Sequence, residues 1–394
     1  MSLPKAVYVV AAKRTPIGAF QGALSTVSAP QLGAAAIRAA LEQSTLAADQ
    51  VGEVFMGNVL TAGVGQAPAR QAAIYAGIPH KVPATTVGKV CGSGLQAVVF
   101  GAKSIALGDA EIVVAGGMES MSNAPYYLPQ ARTGYRMGHG KLVDGMIHDG
   151  LWDPYGDFHM GNAGDKCASE YKFTREAQDE FAKESFRKAV AAQKEGAFKA
   201  EIVGVSVPQK RGEPTVVSED EGPPAGKPEK FASLKPAFSK DGTITAANAS
   251  SINDGASALV LASEAAVKAH KLEPIARIVG YGGAAQAPEW FTTAPAAAIK
   301  NTSEKLGIAT KDIDLYEINE AFAVVAMVVS QLCELDPKTV NVRGGAVALG
   351  HPIGASGARI LTTLLYAMKD QNKKRGLATL CIGGGEGLAL VVER

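Results

Sequence analysis

The chain has 394 residues, enough for two or three domains with large buried cores. Lys and Arg number 39 against 38 Asp and Glu, a formal net charge of +1. That balance argues against the basic face of a nucleic-acid or membrane-surface protein, so neither is expected as a partner.

The start, "MSLPKAVYVVAAKRTPIG", reaches an apolar strand within a few residues, which leaves no space for a signal or transit peptide. No apolar run of about 18 residues is uninterrupted, so no membrane span is expected. The four cysteines, Cys91, Cys167, Cys333 and Cys381, show no paired spacing. Reduced thiols in a cytoplasmic setting are therefore the expectation.

Next come a strand-like "EVFMGN" (53 to 58), the turn "VCGSGLQ" (90 to 96), an apolar helix, and a strand running into glycines, "EIVVAGGMES". The middle of the chain is aromatic, Gly-rich and irregular. Within it "TREAQDEFAKESFRKAVAAQKEG" predicts one amphipathic helix, with Thr174 as N-cap, Gly196 as the stop, and Phe181, Ala182, Ser185, Phe186, Ala189 and Val190 on the packed face. A Pro/Gly/charged loop follows. The first pattern then recurs: "DLYEIN" (314 to 319), "GHPIGASG", an apolar helix, and "LATLCIGGGEG". Cys91 lies 33 residues after Asn58, and His351 lies 32 after Asn319. One duplicated unit with a small insertion accounts for this order. Both repeated helices lack a wide polar face and are expected to be covered on both sides. The fold expected is α/β, with duplicated halves stacked as a five-layer α/β/α/β/α sandwich and an inserted loop domain.

Several residues have the chemistry of a site. Cys91 stands at the mouth of a helix, where the positive end of the dipole favours thiolate; alternatively it is simply small enough for a tight turn. His351 sits in a rigid Pro/Gly loop at the place in its repeat that Cys91 holds in the other, which suggests a nucleophile and its base. Cys381 ends an apolar strand and reads first as core, but Gly383 and its neighbours expose backbone donors suited to an oxyanion. Asn319 needs no role beyond an N-cap ahead of Glu320. Cys167 and Cys333 read as structural. No G-x-G-x-x-G opens a convincing helix, no P-loop is present, and no cysteine or histidine spacing suits a metal, so no cofactor and no metal site are expected.

Taken in order, "VCGSGLQAV", "GGMESMS", "NASSINDGA", "NEAFA", "GHPIGASGARI" and "CIGGGEG" resemble the characteristic blocks of the thiolases over nearly the whole chain. The middle and C-terminal blocks look closest to acetoacetyl-CoA thiolases, the acetyl-CoA C-acetyltransferases. The resemblance implies thiolase halves at 1–118 (completed by about 250–272) and 273–394, with a loop domain at 119–249 that binds CoA and makes tetramer contacts. It implies Cys91 as the acetyl-accepting nucleophile, His351 as its activator, and Cys381 as the group that exchanges the proton at the reacting carbon or the leaving thiol. Asn319 would hold a water completing one oxyanion hole with His351, and the N–H groups of Cys91 and Gly383 would form the other. His159, Met160, Ser250, Ala321 and Phe322 match contacts to the pantetheine arm, Lys230 matches a place near the nucleotide phosphates, and Phe291 one that shapes the acyl pocket.

The implied activity is reversible condensation of two acetyl-CoA to acetoacetyl-CoA plus CoA, within fatty acid metabolism, by a homotetramer joined through residues 120 to 145. Alternatives are a degradative 3-ketoacyl-CoA thiolase with a longer acyl channel and a non-catalytic acyl-CoA binding protein. Two departures stand out. Some relatives use a potassium ion beside a tyrosine matching Phe186; phenylalanine lacks the hydroxyl, so potassium is not expected, although Ala246, Ala247 and Ala249 match. Glu386 replaces small or apolar residues in the last glycine block.

Overall fold

The structure, a computed structural model, describes residues 3–394. Strand β1 (Val7–Arg14) is followed by helix α1 (Ala29–Ser44), whose start is fixed by Gln31 reaching back to the Ser28 N–H at 3.1 Å and by Pro30 in the first turn. Then come β2 (Glu53–Gly57), α2 (Pro68–Tyr75), β3 (Ala84–Val87), α3 (Ser93–Leu107) and β4 (Ile112–Ser120). Two helices of the inserted region, α4 (Met160–Glu170) and α5 (Arg175–Lys194), precede β5 (Asn253–Ser263). The second half contains β6 (Ala276–Ala285), α6 (Ala294–Leu306), β7 (Leu315–Ile318), α7 (Ala323–Cys333), α8 (Ser356–Asp370), β8 (Arg375–Ile382) and β9 (Glu386–Glu393).

The strand order is β7-β8-β9-β6-β1-β5-β4-β2-β3, with Gly18–Ala19 as a short extra strand on β5. Its two halves repeat one topology. β2 and β4 are parallel, as are β7 and β8; β4, β5 and β1 alternate in direction, as do β8, β9 and β6. The halves join where Val7–Val9 pairs antiparallel with Ala276–Ile278, so the two sheets hydrogen-bond into one at that edge.

Three apolar clusters separate five layers. Helices α1 and α2 cover the first sheet, α3 and α8 fill the space between the sheets, and α6 and α7 cover the second. Val90–Leu107 has the length and mean hydropathy (1.4) of a bilayer-crossing helix, against the expectation from uninterrupted runs. Its central position accounts for that composition, because both sides of α3 face protein.

The inserted region holds more helix than its sequence suggests; in "MGNAGDKCASE" the packed face is made of small residues at helical spacing, Gly161, Ala163, Gly164, Cys167 and Ala168. Helix α5 keeps its predicted limits: Thr174 Oγ1 accepts from the Ala177 N–H at 3.2 Å, and Gly196 follows at φ +75°. Its packed face is narrower than expected. Ala182, Ser185, Ala189 and Ala192 are buried, Phe181 and Phe186 are half-buried, and Val190 is 44% exposed. Small residues line this face because the backbone at Gly344 approaches so closely that a Cβ there would lie 2.8 Å from Ala189.

Candidate active site

The two central helices bring the two catalytic loops together. A Cβ on Gly94 would lie 2.9 Å from the Ala358 nitrogen, and one on Gly357 would collide with the Leu95 nitrogen. The contact is reciprocal, 94 with 358 and 357 with 95, as a pseudo-twofold axis through the first turns requires. Only glycine allows the backbones this near. The axis corrects one expectation. Helices α3 and α8 start at Ser93 and Ser356, so the counterpart of Cys91 is Gly354, and His351 lies three residues upstream. The loops still meet, but His351 arrives from a different loop position than Cys91.

Cys91 is partly exposed and follows Val90, whose φ is +43°. A β-branched residue is strained there, and the strain turns Cys91 sharply out of β3 toward α3. The backbone N–H groups of Gly383 and of Cys91 itself lower the pKa of the Cys91 thiol. Both favour the thiolate. Burial outweighs them, and with a smaller contribution from Glu119 pushes the thiol up to about 11. The resting sulfur is therefore a thiol, not the thiolate expected from the helix end.

His351 is 5% exposed, and burial, with the Arg359 charge, pushes its imidazole down to about 3. Ser356 Oγ donates to the Pro352 carbonyl at 2.9 Å, which uses its one proton. It must then accept from His351 Nδ1–H at 2.6 Å, which makes Nε2 the acceptor nitrogen of the ring. Ser356 stands in no position that the sequence marks as catalytic; its recurrence as the partner of Ser93 is the signal that points to it. The His351 N–H donates to Asn253 Oδ1 at 2.9 Å, which fixes the backbone.

Asn319 is not the N-cap of α7, which begins at Ala323 with Phe322 in the cap position. Its Nδ2 lies 3.4 and 3.5 Å from the two ring nitrogens of His351, and its buried Oδ1 has no protein partner. An unpaired buried carbonyl oxygen suits an ordered water. Cys381 is fully buried; burial first, and then neighbouring Cys91, raise its thiol well above the ordinary range.

A cavity of about 230 Å³ leads to these groups. Among the predicted residues, Cys91, His351, Gly383, His159, Met160, Ser250, Ala321, Phe322 and Phe291 line it. Cys381 and Asn319 stand behind the lining, while Lys230 is exposed in a 3₁₀ turn outside it. His159 caps α4, its Nδ1 accepting from the Gly161 N–H at 3.1 Å, and its ring stacks on Phe238 at 4.6 Å. Met121, from the "GGMESMS" block, also lines the cavity, as do Phe238 and Leu151, which carry no motif in the sequence. Phe186 packs edge-on against Phe231, ring centroids 5.5 Å apart. Among the described residues no group of three His, Cys, Asp or Glu could hold a metal ion.

Residues 7–265 match the family model "Thiolase, N-terminal domain", and residues 272–394 match "Thiolase, C-terminal domain". The chain belongs to the thiolase family. It is 54% identical to acetyl-CoA acetyltransferases of Pseudomonas aeruginosa and of Cupriavidus necator, over 98% of this chain and 99% of each relative. The crystal structure of the Bacillus anthracis acetyl-CoA acetyltransferase superposes with a TM-score of 0.97 at 42% identity, covering 99% of both chains.

Proposed function

We propose that this thiolase is an acetyl-CoA C-acetyltransferase, joining two acetyl-CoA reversibly into acetoacetyl-CoA and CoA. One observation supports this most: a single cavity is lined by the Cys91 thiol, by Gly383 and by the buried imidazole of His351.

In the first step Cys91 Sγ attacks the acetyl carbonyl carbon while its proton passes to His351 Nε2. The oxygen gains negative charge under the N–H groups of Cys91 and Gly383, and CoA leaves as a thiol with the proton of Cys381, which stays behind as a thiolate while His351 keeps the proton of Cys91. With a thiol at about 11 and an imidazole at about 3, proton transfer must accompany attack instead of preceding it.

A second acetyl-CoA then loses an α-proton to the Cys381 thiolate left by the first step, and His351 later returns its proton to Cys91. The enolate oxygen is stabilised by protonated Nε2 of His351 and by a water on Asn319. The enolate carbon attacks the acetyl group, and Cys91 leaves and is reprotonated. His159, Met160, Ser250, Ala321 and Phe322 guide the pantetheine arm, Lys230 reaches toward the nucleotide phosphates, and Phe291 limits acyl length.

Exposed Tyr126, Leu128, Met137 and Leu142 support tetramer contacts through residues 120 to 145. One relative, from Gibberella zeae, is described as cytosolic, which supports a cytosolic setting here. Phe186 has no hydroxyl and is committed to Phe231, which supports turnover without potassium.

Thiolysis kcat/KM for acetoacetyl-CoA against 3-ketooctanoyl-CoA, on one preparation, tests the reading. Strong preference for the shorter substrate is expected. Equal or better use of the longer one would make the enzyme a degradative 3-ketoacyl-CoA thiolase, and CoA binding without turnover would make it a non-catalytic binder.

A further inference from the structure

We infer that the ion pair Lys89–Glu386 is a latch that sets the spacing of the two oxyanion donors, Cys91 N–H and Gly383 N–H. The inference rests on the thiolase reading above. The two donors come from different halves of the molecule, so no continuous strand or helix fixes their separation.

On the first side, Lys89 stands two residues before Cys91, and its N–H donates to Ser93 Oγ at 2.8 Å. Backbone geometry then carries any displacement of Lys89 through Val90, already held at φ +43°, into Cys91. On the second side, Gly383, Gly384 and Gly385 offer no side chain by which neighbours could grip the loop. Gly384 and Gly385 both lie at φ +89°, and a Cβ on Gly384 would meet nothing within 4 Å. Such a segment is soft on its own. Its downstream anchor is Glu386, the first residue of β9, aided by the Gln286 N–H donating to the Gly385 carbonyl at 2.9 Å.

Across this gap Lys89 Nζ donates to Glu386 Oε2. The side chains are 26% and 41% exposed, so the pair contributes little to global stability. Its effect falls on geometry, because a donor placed away from the developing charge loses much of its catalytic value. This accounts for Glu386, the residue that departs from the small or apolar pattern of the last glycine block. Lys89 and Glu386 are positioning residues and touch no reacting atom.

The experiment is thiolysis of acetoacetyl-CoA by the full-length enzyme and by Glu386→Gln, Lys89→Met and the charge-reversed double variant K89E/E386K. Lys268→Met, which breaks an exposed pair on a distant helix, serves as control. Each single variant is expected to lose about tenfold in kcat with KM and melting temperature unchanged, as for a displaced donor. The double variant recovers most of the loss. Unchanged kcat in both single variants overturns the latch. So does a loss that charge reversal fails to rescue, or one that tracks the melting temperature. Failure of the unaltered enzyme to turn over would instead remove the thiolase reading beneath it.

Discussion

Asn58 and Asn319 end corresponding strands of the two halves, yet they do different work. Asn58 Nδ2 donates to Glu119 Oε1 at 2.6 Å and to the Met118 carbonyl at 3.3 Å. Glu119, pushed up to about 7 by burial, also accepts from the N–H groups of Val59, Leu60 and Gly354. That asparagine is stitched into a buried carboxylate that pins both loops. In the other half no carboxylate takes that place, and Asn319 Nδ2 turns to His351; the Oδ1 of each asparagine is buried without a protein partner, so the two differ in what their Nδ2 meets. The serines divide the same way. Ser93 Oγ donates to the Val90 carbonyl at 2.7 Å and accepts from a backbone N–H, whereas Ser356 accepts from the catalytic ring. Duplication supplied one backbone twice; the partners of the matching polar side chains then diverged, toward Glu119 in one half and toward His351 in the other.

The largest expected break in that comparison comes from the nucleophile. Cys91→Ala should lower thiolysis about 10⁴-fold or more with the fold intact. A single-turnover assay for the acetyl-enzyme should find none; appreciable covalent acetylation would move the nucleophile elsewhere.

Next come the asparagines. Asn319→Ala should cost about a hundredfold in kcat with little change in melting temperature. Asn58→Ala should cost about 1–3 kcal/mol in stability, because a buried carboxylate loses its donor, and should impair activity only in step with unfolding. The opposite assignment of effects would sink the division of labour.

Ser356→Ala removes the acceptor that holds His351 Nδ1–H. About a tenfold loss in kcat is expected, with KM unchanged, since the ring remains but its tautomer is no longer enforced. Ser356→Thr should restore part of it, and Ser93→Ala should not reproduce the pH profile of the defect.

The smallest effect concerns pH. Folded His351 resists protonation down to about 3, while the unfolded chain takes up the proton near 6.5. Protonation therefore favours the unfolded state between those limits, and stability falls as pH drops through that window. His351→Asn should flatten this acid limb by an amount on the order of a few kcal/mol. Denaturant titrations at pH 7 and pH 4 would test it; equal slopes in both proteins would mean other groups control the limb.

Much of the site is legible in the residues alone. Cys91, His351, Cys381 and Gly383 sit in short motifs whose glycines, prolines and apolar flanks mark loops at strand and helix ends, and the repeat makes their convergence a reasonable expectation. Phe238 and Leu151 are not legible, because an aromatic or leucine in an irregular loop has no periodicity to betray its direction. Helix α4 is hard to read as well, because its packed face consists of small residues, Gly161, Ala163, Gly164, Cys167 and Ala168, whose hydrophobic signal is weak, and its start is set by the His159 cap.

By itself the sequence determined the α/β alternation, the duplication and the residue types available for acyl transfer, since these follow from period, spacing and chemistry within short windows. The ionisation of Cys91, the proton placement on His351 and the choice between Asn58 and Asn319 were decided by tertiary structure alone. Each depends on burial and on partners contributed by distant segments, as with Gly383 above Cys91 and Glu119 beside Asn58, and desolvation at such contacts outweighs the local preference of any helix end.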